Sequence, residues 1–171
     1  SYPIDNLEEL SQSIIKHVLI AGEKLRKYNQ LTSAITVFMN TNTHSKDYYK
    51  SEATEKMDIP TSDSRIMLKK SLELTKKIFK PYRKFKKAGV ILHKLQSNQY
   101  TQKLLFDEQV FQKELYQERL NYVIDEINNR NGRDTINWGS SIIEKEWSPS
   151  RKKLSSIKTT DIKNIPIIYA N

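Results

Sequence analysis

The sequence predicts an α+β fold, a two-layer sandwich in which a small antiparallel or mixed β-sheet carries two helices on one face. Two segments repeat apolar residues every three or four positions, which is typical of a helix with one buried stripe. Three shorter segments are rich in β-branched or apolar residues and are bounded by polar or proline-containing stretches. Up to residue 96 the order is helix, strand, strand, helix, strand. This order favours helices that share one face of the sheet.

The first helix is predicted to begin at a cap, Asp5 or Asn6, and to carry Glu8 and Glu9 in its first turn. Residues 31–40 alternate apolar and polar side chains, which predicts a strand with one wet face. The apolar stripe of the helix comprises Leu7, Leu10, Ile14, Val18, Ala21 and Leu25.

The second strand is predicted over residues 53–59, where Pro60 stops it because proline has no N–H for the ladder. Thr61, Ser62 and Asp63 offer caps for a second helix over about residues 64–79, and a third strand follows over residues 88–95. Three strands make a thin sheet. A further strand preceding Ser1 would complete a repeated split βαβ motif.

The composition limits the class of protein. With 171 residues, the chain is long enough for one domain of ordinary size and a smaller appendage. It contains no cysteine, so neither disulfides nor thiolate metal sites hold it together, which fits a reducing compartment. No apolar run approaches the length of a membrane span, and the N-terminus lacks the features of a signal peptide. We therefore expect a cytoplasmic protein that does not bind membranes.

The net charge of +9 is concentrated in one stretch. Between Arg65 and Lys87 the chain has ten basic residues and one acidic residue, Glu73, whereas basic and acidic residues balance in the remainder. This concentration predicts a polyanionic partner, because each neutralised phosphate releases counterions. The alternative is a merely solvated helix face.

The candidate DNA contacts lie on the open face of the predicted sheet and in the basic segment that leads into the third strand. As a set they are polar and basic enough to lie along a nucleic-acid backbone. They are Thr32, Thr36, Arg83, Lys84, Lys86, Lys87, Ile91 and His93.

A pentapeptide lies between two polar stretches and joins the two parts of the chain. A glutamine amide followed by large apolar side chains matches the recognition mode in which a few anchors fill a groove on another protein. The alternative is that Leu105 and Phe106 begin the next helix and pack within this chain. The pentapeptide consists of Gln102, Lys103, Leu104, Leu105 and Phe106.

A third helix is predicted over residues 108–129, with a C-cap at Asn131 and Gly132. Residues 135–138 are predicted as a short strand, and Trp138 and Trp147 as a small core of the appendage. The predicted organisation is a domain at residues 1–96, a linker at 97–107 and an appended domain with a tail at 108–171.

The sequence offers no candidate catalytic or metal site. His17, His44 and His93 lack the spacing of metal ligands, and the chain has no paired carboxylates for a two-metal site, no glycine-rich phosphate loop and no nucleophile elbow. We expect a binding and positioning module that holds no cofactor.

Five segments resemble, in order and spacing, the C-terminal part of the UmuC family, the catalytic subunits of bacterial error-prone Y-family DNA polymerases. The resemblance implies that residues 1–96 form a little-finger domain, its first strand missing, which grips duplex DNA through its sheet. It also implies that the pentapeptide docks on the polymerase sliding clamp, although Lys103 stands where the family usually has leucine. The five segments are residues 21–26, 48–65, 87–90, 102–106 and 132–135.

The same resemblance implies that the catalytic carboxylates and their magnesium ions belong to a part preceding Ser1, so this chain alone is expected to be inactive. The region after the pentapeptide would contact a processed UmuD-like accessory subunit and a recombinase filament. The alternative interpretation is a stand-alone α+β adaptor that binds RNA or an acidic protein.

Overall fold

The computed structural model describes residues 3–98, 108–132 and 135–139. Within these ranges the predicted order of helix, strand, strand, helix and strand is confirmed, and the fold is α+β. The elements are α1 (Leu7–Lys27), β1 (Gln30–Asn40), β2 (Lys50–Thr61), α2 (Ser64–Ile78), β3 (Lys87–His93), β4 (Gln96–Ser97) and α3 (Glu108–Asn131).

The sheet is antiparallel, with β1 between β2 and β3. The short strand β4 pairs with the start of β1, beside the end of β3. Before α1, Ile4 and Phe85 exchange two backbone hydrogen bonds of 2.7 Å, so the N-terminal segment runs antiparallel to the segment that leads into β3.

Both helices pack on one face of this sheet, as predicted. α1 lies against β1 and β3, and α2 lies against β1 and β2. The side chains of Ile35, Val37 and Met39 point into this layer and are fully buried. The two helices also cross closely, since a Cβ on Gly22 would lie 2.9 Å from Cε of the buried Met67. The apolar stripe predicted for α1 contributes Leu10, Ile14, Val18 and Leu25 to the core.

Local hydrogen bonds set the ends of the helices. The Asn6 side chain accepts from the Glu8 N–H (2.9 Å) and caps α1, while the Asp63 carboxylate accepts from the Arg65 N–H (2.9 Å) and caps α2. Gly132 has a φ of +105°, the left-handed conformation predicted for the residue after α3. The signals in the sequence therefore located these ends correctly.

The predicted bounds of β2 and of β3 are both wrong. β2 continues through Pro60, because it is an edge strand and the proline falls where its register with β1 shifts. β3 ends at His93, because Lys94 turns with a φ of +52°, and pairing resumes two residues later in β4.

The segment after α3 also differs from its prediction. Residues 135–138 are bent rather than extended, and the Asn128 amide pairs with the Ile136 backbone, donating to its C=O (2.9 Å) and accepting from its N–H (2.8 Å). Trp138 packs against the main core rather than a separate small core, and Trp147 lies outside the described residues.

α3 is attached to the first two helices through polar side chains. The Arg26 guanidinium donates to both carboxylate oxygens of Asp125, from Nη2 at 2.8 Å and from Nε at 2.5 Å. Asn121 is buried and donates to the Asp63 carboxylate (3.4 Å) that caps α2. The contact therefore joins the C-terminal end of α1 and the N-terminal end of α2 to the middle of α3.

Candidate nucleic-acid interface

The sheet face opposite α1 and α2 carries alternate residues of all three long strands, and we call it the open face. Its residues follow from the register, since direct partners in antiparallel strands point the same way. Four rows cross β2, β1 and β3 in turn: Lys50–Asn40–Lys87, Glu52–Phe38–Gly89, Thr54–Thr36–Ile91 and Lys56–Ala34–His93. Thr36, Lys87, Ile91 and His93 therefore share this face, as the alternation in the sequence indicated.

A polar ladder runs across the middle of the open face. The Thr36 hydroxyl shares one hydrogen bond of 2.7 Å with the Thr54 hydroxyl and another of 2.7 Å with Nε2 of His93. Thr36 is only 5% exposed, so it orients the His93 and Thr54 side chains rather than reaching a ligand itself. Exposed Ile91 and half-buried Phe38 add apolar surface, and Gly89 makes room for the Phe38 ring.

Thr32 is a correction to the predicted set of contacts. Its side chain is fully buried at 0% exposure, and its hydroxyl lies within bonding distance of the carbonyl oxygens of Ala34 (3.0 Å) and His93 (2.9 Å). The register of β1 shifts between Thr32 and Ala34, so simple alternation does not extend past this point. Thr32 therefore holds two strands together and is not available to DNA.

One end of the sheet gathers positive charge, and we call it the basic end. Asn40 pairs with Lys50 on one side and Lys87 on the other, and its carbonyl accepts from the Lys86 N–H (2.9 Å). The loop at residues 41–49 and the loop at residues 79–86 both lie here. The exposed cations of the basic end are Lys46, Lys50, Lys80, Arg83, Lys84, Lys86 and Lys87.

Among these cations, the described contacts pair Lys50 with Glu52 (2.7 Å) within β2. Asp47 is the acidic residue of the 41–49 loop. The basic end therefore has a large excess of positive charge, whose field extends over about 10 Å of solvent at an ionic strength of about 0.1 M.

Tyr49 ties the two loops together. Its ring lies 5.3 Å from Nζ of Lys80 and 5.2 Å from Cζ of Arg83, and 6.5 Å from the ring of the buried Phe85. A hydrogen bond with Ser51 lowers the pKa of the Tyr49 phenol most, and Lys80 and Arg83 lower it further. The cations thus rest on an aromatic platform that fixes where the 79–86 loop lies.

The basic stretch seen in the sequence is divided between α2 and the basic end of the sheet. Five of its ten cations belong to the basic end, and five belong to α2, in the helical layer. Of the α2 cations, Arg65 pairs with Asp63 (2.7 Å) and Lys70 with Glu55 (3.1 Å). The solvated helix face that was the alternative interpretation therefore describes α2, whereas the other half forms the basic end, where Lys87 adjoins the open face.

Residues Gln102, Lys103, Leu104, Leu105 and Phe106 lie outside the described residues. In the part that is described, no three His, Cys, Asp or Glu side chains group as metal ligands would, and no helix has the length and apolar character of a membrane span. The sequence prediction did not include Lys46 and Lys50 among the contacts. The neighbouring aromatic pair Tyr48 and Tyr49 is the signal in the sequence that points to this loop.

Comparison with known proteins identifies the family. Residues 1–105 match the model described as the impB/mucB/samB family C-terminal domain. The chain belongs to this family. The open face and the basic end both lie within its impB/mucB/samB domain. Residues 118–168 match a second family, described as a domain of unknown function, DUF4113, which includes most of α3.

Individual relatives agree with this assignment. Protein SamB of Salmonella typhimurium is 32% identical over 165 residues, 95% of this chain and 38% of that protein. Protein MucB of Escherichia coli is 31% identical over 166 residues, and Protein UmuC of Salmonella typhimurium is 28% identical over 159. The chain spans less than two fifths of the length of these relatives. The resemblance seen in the sequence is confirmed.

Proposed function

We propose that this chain is the DNA-gripping and clamp-docking C-terminal region of a Y-family translesion DNA polymerase that acts in damage tolerance. The observation that carries the proposal is the junction of the open face with the basic end, where Lys87 belongs to both. A sheet face next to an excess of exposed cations presents the charge that a duplex backbone requires. Family membership supports the assignment to this class of polymerase.

The proposed grip acts mainly on phosphates. The basic end offers cations from two loops and two strands, so they can follow one phosphate strand as it passes the sheet. His93 and Thr54, held by Thr36, supply hydrogen-bonding groups, and Ile91 supplies an apolar contact to the sugars. A polymerase must travel over any sequence, and such contacts carry no base information.

The test compares two charge reversals of equal size. Lys86→Glu with Lys87→Glu changes the basic end, whereas Lys24→Glu with Lys27→Glu changes two exposed lysines at the opposite end of β1. Binding of a labelled duplex is measured by fluorescence anisotropy over a series of salt concentrations. If both lysines of the basic end contact phosphate, their reversal lowers affinity and reduces the slope of log K against log salt by about 1.8.

Both variants lose the same net charge. The control pair is nevertheless expected to change affinity far less, because its lysines lie at the opposite end of β1 from the basic end. Equal losses would show that the whole charge of the protein attracts DNA without a localised site. An unchanged affinity for the Lys86 and Lys87 variant would remove these residues from the interface. Structured RNA that competes better than duplex DNA at the same salt concentration would favour the adaptor interpretation.

We also propose that Gln102 to Phe106 dock on a sliding clamp. Support comes from the glutamine followed by two large apolar anchors, at a point in the chain between β4 and α3. Gln102→Ala with Phe106→Ala is expected to abolish clamp binding in a pull-down while duplex affinity stays nearly unchanged. Simultaneous loss of both activities would mean that the pentapeptide is part of the folded core.

For the region after the pentapeptide we propose a role in binding a processed UmuD-like accessory subunit and a recombinase filament. α3 supports this proposal because it exposes Tyr116, Tyr122 and Val123, an aromatic and apolar set suited to a protein partner. Tyr116→Ser with Tyr122→Ser is expected to weaken capture of the accessory subunit without changing duplex binding. Unaltered capture of both partners would exclude these two tyrosines of α3.

A further inference from the structure

Tyr82 is the most exposed large hydrophobic residue of the described part of the chain and has an unusual backbone conformation. Its side chain is 97% exposed, and its φ is +68°. The left-handed region is uncommon for residues other than glycine and costs a residue with a Cβ about 1 kcal/mol. A bulky aromatic residue in that conformation, on the surface of a basic loop, calls for an explanation in function.

The exposure does not come from a loosely attached loop. On one side of Tyr82 the Phe79 N–H bonds to the Thr75 carbonyl (3.0 Å), and on the other Phe85 is fully buried and bonded to Ile4. The rings of Phe79 and Phe85 lie 6.0 Å apart, so the two ends of the loop meet in the core. The loop is therefore anchored at both ends and directs Tyr82 outward.

The surroundings of the ring are cationic. Arg83 and Lys84 follow it in the chain, Lys80 precedes it, and all three are exposed. An aromatic side chain among cations is the composition of surfaces that stack single-stranded bases while holding the adjacent phosphates. Within a continuous duplex every base face is covered by its neighbours, so a ring at this position finds a partner only where a base is unpaired.

We propose that Tyr82 stacks on an unpaired nucleobase of DNA bound along the basic end, so that the 79–86 loop distinguishes gapped or frayed DNA from continuous duplex. The inference rests on the proposed DNA grip and adds to it a preference for unpaired template. Arg83 and Lys84 hold the phosphates next to the stacked base.

The experiment compares a short continuous duplex with the same duplex in which one strand has an internal gap, so that a few thymidines of the other strand are unpaired. Both have identical ends, so stacking on terminal base pairs cancels. Wild-type chain, Tyr82→Ala, Tyr82→Asn and Tyr82→Phe are titrated by fluorescence anisotropy at one salt concentration. Asparagine accepts positive φ without a ring, whereas phenylalanine keeps the ring without the hydroxyl.

The wild-type chain and Tyr82→Phe are expected to bind the gapped duplex about 5- to 160-fold more tightly than the continuous one, the range for one stacked base. Tyr82→Ala and Tyr82→Asn should bind both DNAs with the affinity that the wild type shows for the continuous duplex. A wild type without preference for the gap, or a preference that survives in Tyr82→Ala, would overturn the inference while leaving the grip intact. If the wild type binds neither DNA, the proposed function itself fails.

Discussion

Replacing Arg26 with alanine should detach α3 from the first domain and destabilise the fold. Arg26 makes four hydrogen bonds: two to Asp125, one to the Ser62 carbonyl (2.7 Å) and one to the Ser64 hydroxyl (3.0 Å). The Arg26 and Asp125 side chains are 16% and 17% exposed, so the pair is largely buried. Breaking a buried pair from one side costs about 3–5 kcal/mol, and the residual exposure places this case near 3 kcal/mol.

The partner variant Asp125→Ala should cost less, about 1–2 kcal/mol, because Arg26 keeps its bonds to Ser62 and Ser64. The double variant should resemble Arg26→Ala, which gives a coupling energy of about 1–2 kcal/mol for the pair. Urea unfolding followed by circular dichroism measures each free energy of unfolding, with a constant m-value as the check on a common transition.

Arg26→Lys is the matched control, since it keeps the charge and loses the planar fork that bonds both carboxylate oxygens. Arg26→Lys should lose most of the unfolding free energy that the alanine variant loses. Two results would refute this reasoning: free energies that add within about 0.5 kcal/mol in the double variant, or a lysine variant as stable as the wild type.

Two further predictions follow from single side chains. Burial raises the pKa of the Asp63 carboxyl, but hydrogen bonds from the Arg65 side chain and backbone and from Asn121 lower it more, so the folded-state pKa lies below the ordinary value. The charged carboxylate therefore contributes stability above a pH of about 3.9, and this contribution is lost as the pH falls through the folded-state pKa. Asp63→Asn should flatten that acid limb in thermal unfolding followed by circular dichroism from neutral pH downward, and parallel curves for the two proteins would contradict the assignment. Thr36→Val should cost about 1 kcal/mol of unfolding free energy through the lost bonds to Thr54 and His93, yet leave the salt slope of duplex binding unchanged because Thr36 is buried; a reduced slope would make Thr36 part of the DNA contact.

The sequence was sufficient where one local signal decides the structure. The spacing of apolar residues located α1 and α2, the Asn6 and Asp63 caps set where they begin, and alternation placed Thr36 on the open face. It failed where a neighbouring strand decides. Pro60 is tolerated because β2 is an edge strand, a property of the sheet rather than of the segment.

Contacts between distant segments could not be predicted from the sequence for the same reason. Arg26 and Asp125 are 99 positions apart, and nothing in either segment indicates the other. The basic stretch reads as one unit in the sequence, but half of its cations belong to α2 and half to the basic end of the sheet, because the loop after α2 leads to the start of β3 beside Asn40. Lys50 joins that half only because β2 begins beside Asn40.

The length of β1 separates the α3 attachment from the basic end. Its 11 residues extend about 34 Å from the α3 attachment, near Gln30, to the basic end at Asn40. β4 pairs with Gln30, so the chain leaves the sheet towards the pentapeptide at the end remote from the basic loops. In the proposed function, the duplex is held at Asn40 and the clamp by a segment that follows β4, so the two partners are not expected to compete for the basic end. Each attachment would then raise the effective concentration of the other, and two weak contacts would keep a polymerase on its template without a tight contact that stops its movement.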